Sequence, residues 1–162
     1  MIDRPGSDAA SHAGRKVSAA PAAEALSIFI AEDDAAVAEV LTDFVSDIGH
    51  RVAAVETSHA AALAAAEQIA ADIAILDINL QGRPGFAVAD RLTARGIPVI
   101  FVTGLGILEL SGKYEDAVLL KKPFKAEELA EAISRVRVEK LAAAAVTSGA
   151  WRESRRRERR SN

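Results

Sequence analysis

The sequence predicts an α/β domain, a doubly wound parallel sheet of five strands in the order 2-1-3-4-5 with an irregular or shortened fourth helix. Three observations carry that expectation. Short apolar runs alternate strictly with helical stretches through most of the chain, and parallel neighbours need right-handed crossovers of this kind. The runs are continuously apolar, as strands buried on both faces must be. Finally, they end in polar side chains, and open α/β sheets keep their chemistry just beyond the carboxyl ends of the strands. The clearest case is DIAILDINL, Asp72 to Leu80, where the apolar run stops abruptly at Asp77.

Bulk properties narrow the options. The 162 residues suit one domain with tails. Half of them are hydrophobic but only 4% are aromatic, so the core is expected from Ile, Val, Leu and Ala. A net charge of −3 argues against a domain-wide nucleic-acid footprint. Absence of cysteine excludes disulfides, thiolate metal sites and cysteine nucleophiles, and fits a reducing compartment. His12, His50 and His59 are too widely spaced for a metal-binding rhythm. No apolar run approaches the roughly 20 residues that span a bilayer, and no secretion signal is visible, so a soluble cytoplasmic protein is expected.

Each element has its own justification. Residues 1–25 are rich in Ala, Ser, Gly and Pro without an apolar period and read as a disordered leader. SIFIA, Ser27–Ala31, is the first strand and runs into Glu32, Asp33 and Asp34. Val37, Val40, Leu41, Phe44, Val45 and Ile48 then recur at helical spacing up to Gly49, with Asp34 as the helix cap. RVAAV, Arg51–Val55, is the second strand. Ser58 caps an Ala-rich helix expected to reach about Ala71. After Ile73–Asp77 comes a loop with Gly82, Pro84 and Gly85, then a helix to Arg95 that faces Phe86, Ala89 and Leu92 inward and stops at Gly96. PVIFV, Pro98–Val102, is the fourth strand and ends at Thr103. Gly104, Gly106 and Gly112 each lower helix propensity by about 1 kcal/mol relative to Ala, so residues 104–116 are expected as a mobile loop or one short helix. The fifth strand, Ala117–Leu120, leads into Lys121, Lys122 and Pro123. A last helix, Ala126 to about Ala145, faces Leu129, Ile133 and Val136 inward.

A lone Asp after an apolar run is an ordinary turn residue. The other strand ends change its meaning. The predicted order sets strands one and three side by side, so Glu32 and Asp33 face Asp77, with Thr103 and Lys122 on the neighbouring ends. Acids about 5 Å apart repel by roughly 3 kcal/mol per pair at an effective dielectric of 20, so the group needs counter-charge. Lys122 supplies one positive charge, and a hard divalent cation with oxygen ligands, Mg²⁺ rather than Ca²⁺, suits an open site of this kind. Carboxylate, hydroxyl, lysine and Mg²⁺ together have the parts for accepting a phosphoryl group.

On these residues, with Pro123 and Phe124 after Lys122, the chain resembles the receiver domains of two-component response regulators, the CheY-like form of the flavodoxin-like fold, over about Leu26 to Leu141. The resemblance implies that Asp77 is the phosphoacceptor, Thr103 the switch hydroxyl and Lys122 the phosphoryl ion pair. It further implies that Asp33, Asp77 and the Asn79 backbone carbonyl ligate Mg²⁺ directly, that Glu32 acts through water, and that the bond before Pro123 is cis. IPVIFVTGLG, Ile97–Gly106, is similar to the atypical FATGUY receivers of alphaproteobacteria, which lack the usual aromatic switch residue on strand five. That position here is Leu119.

The implied organisation is a leader at 1–25, a receiver domain at 26–145 and a basic, disordered tail at 146–162. With no DNA-binding output module expected after residue 145, the chain reads as a single-domain regulator. It takes phosphate from a histidine kinase and then either changes its affinity for a downstream protein or acts as a phosphorelay intermediate or sink. The arginines of Ala150–Asn162 are expected either to be solvated or to bind an acidic partner, RNA or anionic lipid. The chemistry itself is autocatalytic at most, not that of an enzyme. The alternatives are a Mg²⁺-dependent aspartyl-phosphate hydrolase, disfavoured because Asn79 stands where a general acid is needed, and a receiver-like interaction module that never takes phosphate.

Overall fold

The computed structural model describes residues 24–104 and 112–158, the last twelve as helical backbone. Strands β1 (Ser27–Ala31), β2 (Arg51–Glu56), β3 (Ile73–Asp77), β6 (Val99–Thr103) and β7 (Val118–Lys121) form one sheet in the order β2-β1-β3-β6-β7, all parallel. This is the predicted 2-1-3-4-5 order. A two-stranded antiparallel ribbon, β4 (Asn79–Leu80) and β5 (Arg83–Pro84), is inserted after β3. Helices α1 (Ala35–Asp47), α2 (His59–Ala66), α3 (Phe86–Ala94) and α4 (Ala126–Glu158) complete the fold.

The apolar strands bury both faces. On one face Ile28, Ile30, Ile75 and Ile100 of the sheet pack with Leu41 of α1 and Leu129 and Ile133 of α4. On the other face Phe29, Leu76 and Phe101 of the sheet and Leu80 pack with Ala62 and Ala66 of α2 and Val88 and Leu92 of α3. Every residue of β1, β3 and β6 is buried, which is why these three strands carry no alternation in sequence. Fully burying a side chain of this size stabilises by roughly 1.5–3 kcal/mol, so the centre of the sheet is the most firmly held part of the molecule.

Helix starts follow the sequence. Asp34 accepts hydrogen bonds from the N–H groups of Ala36 and Val37, and the Ser58 hydroxyl accepts from Ala61 N–H. Gly49 and Gly96 take the positive φ, 87° and 76°, that ends α1 and α3.

Several expectations need correction. Helix α2 stops at Ala66 rather than near Ala71 because the Arg95 guanidinium donates to the Ala66 carbonyl at 2.8 Å, freeing Ile69 and Ala71 to pack into the core beside α3. Val40 does not face the core: it is 43% exposed, and Ala38 takes the buried place. Phe86 is only partly buried, while Val88 joins Ala89 and Leu92 inside. Helix α4 runs on to Glu158 instead of stopping near Ala145. The residues from Leu141 onward are mostly Ala, Arg and Glu with no proline, so one Gly149 does not stop the helix.

The leader call at 1–25 falls almost wholly outside the described residues, and so does most of the irregular segment 104–116. Its described end is a single 3₁₀ turn, Gly112–Tyr114. Among the described residues no helix is long and apolar enough to cross a membrane.

Candidate functional site

Four strand ends converge at one edge of the sheet. Ala31 pairs with Leu76 in register, so the residues that follow β1 reach the end of β3. Glu32 continues the line of β1, donating its N–H to the Glu56 carbonyl at 3.0 Å, and its side chain is 1% exposed. Asp77, the last residue of β3, is 8% exposed. Thr103 ends β6 and is buried; it pairs with Lys121, and its carbonyl accepts the Lys122 N–H at 2.8 Å. The Lys122–Pro123 peptide is cis.

Lys122 draws the site together. Its ammonium donates to Asp77 Oδ2 at 2.6 Å and sits 2.7 Å from Glu32 Oε2. The second contact is an ion pair without good hydrogen-bond alignment, which leaves Glu32 Oε2 as a buried oxygen lacking a hydrogen bond. Glu32 Oε1 accepts from Asp34 N–H at 3.2 Å, and Asp77 Oδ1 accepts from Asn79 N–H at 2.8 Å.

Burial pushes the Glu32 carboxyl above its ordinary pKa, the neighbouring Asp77 adds to the rise, and Lys122 only partly opposes it. For Lys122 burial works downward, but its hydrogen bond to Asp77 and its close pairing with the Glu32 carboxylate prevail and hold the ammonium above the usual lysine value. Lys122 is therefore a fixed positive charge at physiological pH.

Asp33 is exposed at the mouth of the site, where its Oδ2 accepts the Gln81 N–H at 2.9 Å. One carboxylate oxygen from each of Glu32, Asp33 and Asp77 can lie within 4.8 Å of the others. Three acids against one lysine leave excess negative charge, and Glu32 Oε2 is an unfilled acceptor. Hard oxygen donors in this arrangement fit a divalent cation of the Mg²⁺ type.

Two supporting features were not anticipated from sequence. Gln81 and Gly82 both adopt positive φ, 55° and 75°, which turns β4 into β5 and aims the Gln81 N–H at Asp33. A Gly between polar residues was visible as a turn signal, but the ribbon was not. Gly85 packs directly on the end of β3: a Cβ there would lie 2.5 Å from the Asp77 carbonyl oxygen. Beside the site, Ala36, Val37, Val40, Lys122, Pro123 and Phe124 line an apolar cavity of about 400 Å³.

A doubly wound sheet whose acidic edge is held by a lysine ahead of a cis-proline is the arrangement of a receiver-type regulatory domain. Comparison with known proteins agrees: residues 28–134 match the response regulator receiver domain, and the chain belongs to that family. It is 36% identical over 111 residues to the response regulator protein TmoT of Ectopseudomonas mendocina, covering 65% of this chain and 50% of that protein. With the phyllosphere-induced regulator PhyR of Methylorubrum extorquens it shares 34% identity over 132 residues, 79% of this chain and 48% of that protein. The chain thus spans about half the length of these relatives. The solution structure of SdrG from Sphingomonas melonis Fr1 superposes with a TM-score of 0.63 at 34% identity, covering 69% of this chain and 96% of that one.

Proposed function

We infer that this receiver domain is a phosphorylation-controlled switch that takes its phosphoryl group from a histidine kinase onto Asp77, in the cytoplasm and with Mg²⁺. The observation that carries this reading is the Glu32–Lys122–Asp77 ion-pair group at the sheet edge, with Asp33 at its mouth. An Asp77 carboxylate oxygen attacks phosphorus; the new P–O bond replaces the P–N bond to the donor imidazole, which leaves with its electron pair and takes up a proton. Lys122, already at the Asp77 carboxylate, pairs with the phosphoryl oxygens as charge builds there. Asp33, Asp77 and the Asn79 carbonyl would hold Mg²⁺, with Glu32 acting through water. Held there, Mg²⁺ would supply charge neutralisation at the phosphoryl oxygens.

Thr103, buried at the next strand end, is the hydroxyl that answers the new charge. The common route turns an aromatic ring on the last strand of the sheet, and here Leu119 occupies that place. Together with IPVIFVTGLG, this supports the FATGUY-type reading. The apolar cavity between α1 and Phe124 opens beside Lys122 and suits the docking of a kinase helix. Downstream, the phosphorylated domain either binds a partner protein or passes the phosphoryl group on.

The test is incubation with acetyl phosphate and Mg²⁺ followed by intact mass measurement. A phosphoryl adduct is expected in the native chain and in Asp34→Asn, whose side chain only caps α1, and is expected to vanish in Asp77→Asn. Absence of an adduct from both acetyl phosphate and a histidine kinase would overturn the reading.

A further inference from the structure

Two N–H groups of the β4–β5 ribbon reach the acids of the site. At its base Asn79 N–H donates to Asp77 Oδ1 at 2.8 Å, and at its tip Gln81 N–H donates to Asp33 Oδ2 at 2.9 Å. The ribbon thus bridges the carboxylate that ends β3 and one that follows β1. Asn79 pairs with Pro84 and Leu80 with Arg83, which leaves Gln81 and Gly82 as the two turn residues. Both have positive φ, 55° and 75°. A two-residue hairpin calls for such a turn, but glycine or asparagine is the usual occupant of its first position, and the glutamine is held there against its own backbone preference. A backbone outlier of this kind persists where the surrounding structure makes use of it. Here it points one N–H at Asp33.

Asp33 is the acid that needs a tether. Glu32 and Asp77 are buried, and both pair with Lys122. Asp33 is exposed, so its carboxylate is free to rotate into water. One oxygen from each of the three acids lies within 4.8 Å of the others, and like charges at that range repel, which drives an untethered Asp33 outward. The Gln81 N–H opposes that motion by engaging Oδ2, and it leaves Oδ1 available as a ligand. Glu32 Oε2, buried and without a hydrogen bond, shows that the same site still wants positive charge.

We propose that Gln81 is a positioning residue for the divalent cation: its backbone N–H holds the Asp33 carboxylate ready for Mg²⁺, so that binding does not have to order this exposed side chain first. The proposal rests on the Mg²⁺ site inferred above and adds the group that sets its affinity. The N–H acts, and the glutamine side chain takes no part.

A matched pair of full-length chains isolates that N–H. Gln81→Ala keeps the amide, and lactic acid at position 81, introduced by nonsense suppression, keeps the methyl side chain but puts an ester oxygen in place of the N–H. Mg²⁺ titration followed by amide NMR shifts, without any phosphodonor, is expected to give Gln81→Ala the native Kd and the ester a Kd about tenfold higher. With acetyl phosphate, the Mg²⁺ concentration for half-maximal adduct formation is expected to rise by the same factor while the rate at saturating Mg²⁺ stays native, a split that general loosening of the site does not produce. Glycolic acid at position 82 sets an ester one residue on and is expected to leave the affinity native. An ester at 81 that binds Mg²⁺ as tightly as Gln81→Ala overturns the proposal, and so does an equal loss from the ester at 82. Neither result touches the phosphoryl reading; that one fails if the native chain takes no phosphoryl group, and the Mg²⁺ titration still decides the role of Gln81.

Discussion

Replacing Lys122 with methionine removes the cation that ion-pairs Glu32 and Asp77, and the consequence can be worked from the geometry. Carboxylate oxygens of Glu32, Asp33 and Asp77 lie within 4.8 Å of one another, a separation at which two charges repel by about 3 kcal/mol at an effective dielectric of 20. Breaking a buried ion pair from one side costs about 3–5 kcal/mol, and the 20% exposure of the Lys122 side chain places this case at the low end. A loss of about 3 kcal/mol is therefore expected, a large share of the stability of an ordinary domain. The pH dependence follows from Glu32. Burial already raises its pKa and Lys122 opposes the rise, so the variant carries the pKa higher still. A carboxyl that binds its proton more tightly folded than unfolded destabilises fully above its folded pKa, and the penalty fades as pH falls through that value. Urea unfolding of metal-free protein followed by far-UV circular dichroism is expected to show the greatest loss near pH 8, a smaller one near pH 5, and partial recovery with Mg²⁺ at pH 8. A loss under about 1 kcal/mol at pH 8, or one equally large at pH 5, would refute the reasoning.

Gly85→Ala is expected to lower stability by about 1–3 kcal/mol and to slow phosphoryl acceptance. The backbone at Gly85, φ −69°, suits alanine, so the cost arises from the Cβ pressing on the Asp77 carbonyl; a normal melting temperature and a normal rate of adduct formation would contradict it. Asp90 accepts hydrogen bonds from Lys113 and the Tyr114 hydroxyl at 2.7 and 2.6 Å, which hold its carboxyl below the ordinary range. Its stabilisation is thus present above the unfolded-state pKa and lost as pH falls through the folded one, so Asp90→Asn should lower the melting temperature slightly at neutral pH and hardly at all in strong acid. Tyr114→Ala also empties the space where the ring stacks on Phe86 and meets Phe101 edge-on, and should cost about 2 kcal/mol in urea unfolding.

Much of this was legible along the chain because it depends on short-range chemistry. Strands β1, β3 and β6 are continuous apolar runs, and Asp34 and Ser58 sit one residue before their helices as capping residues do. The order of Glu32, Asp33, Asp77, Thr103 and Lys122 among the strand ends was enough to anticipate that these residues gather at one end of the sheet. What escaped sequence reasoning depends on contacts across the fold. The end of α2 is set by Arg95, which lies far along the chain from Ala66. Val40 fits the helical period but falls beyond the edge of what the sheet covers. The Tyr114–Asp90 contact joins a 3₁₀ turn to α3, and no local pattern encodes that distance.

The sequence by itself determined the alternation of elements, the parallel sheet order and the family, because apolar period, turn residues and strand-end polarity act over a few residues. Tertiary structure alone decided which of the acids Lys122 holds and how Gln81 ties Asp33 to the β4–β5 ribbon. Each depends on where one element's surface stops and the next begins, a matter of three-dimensional packing that spacing along the chain does not carry.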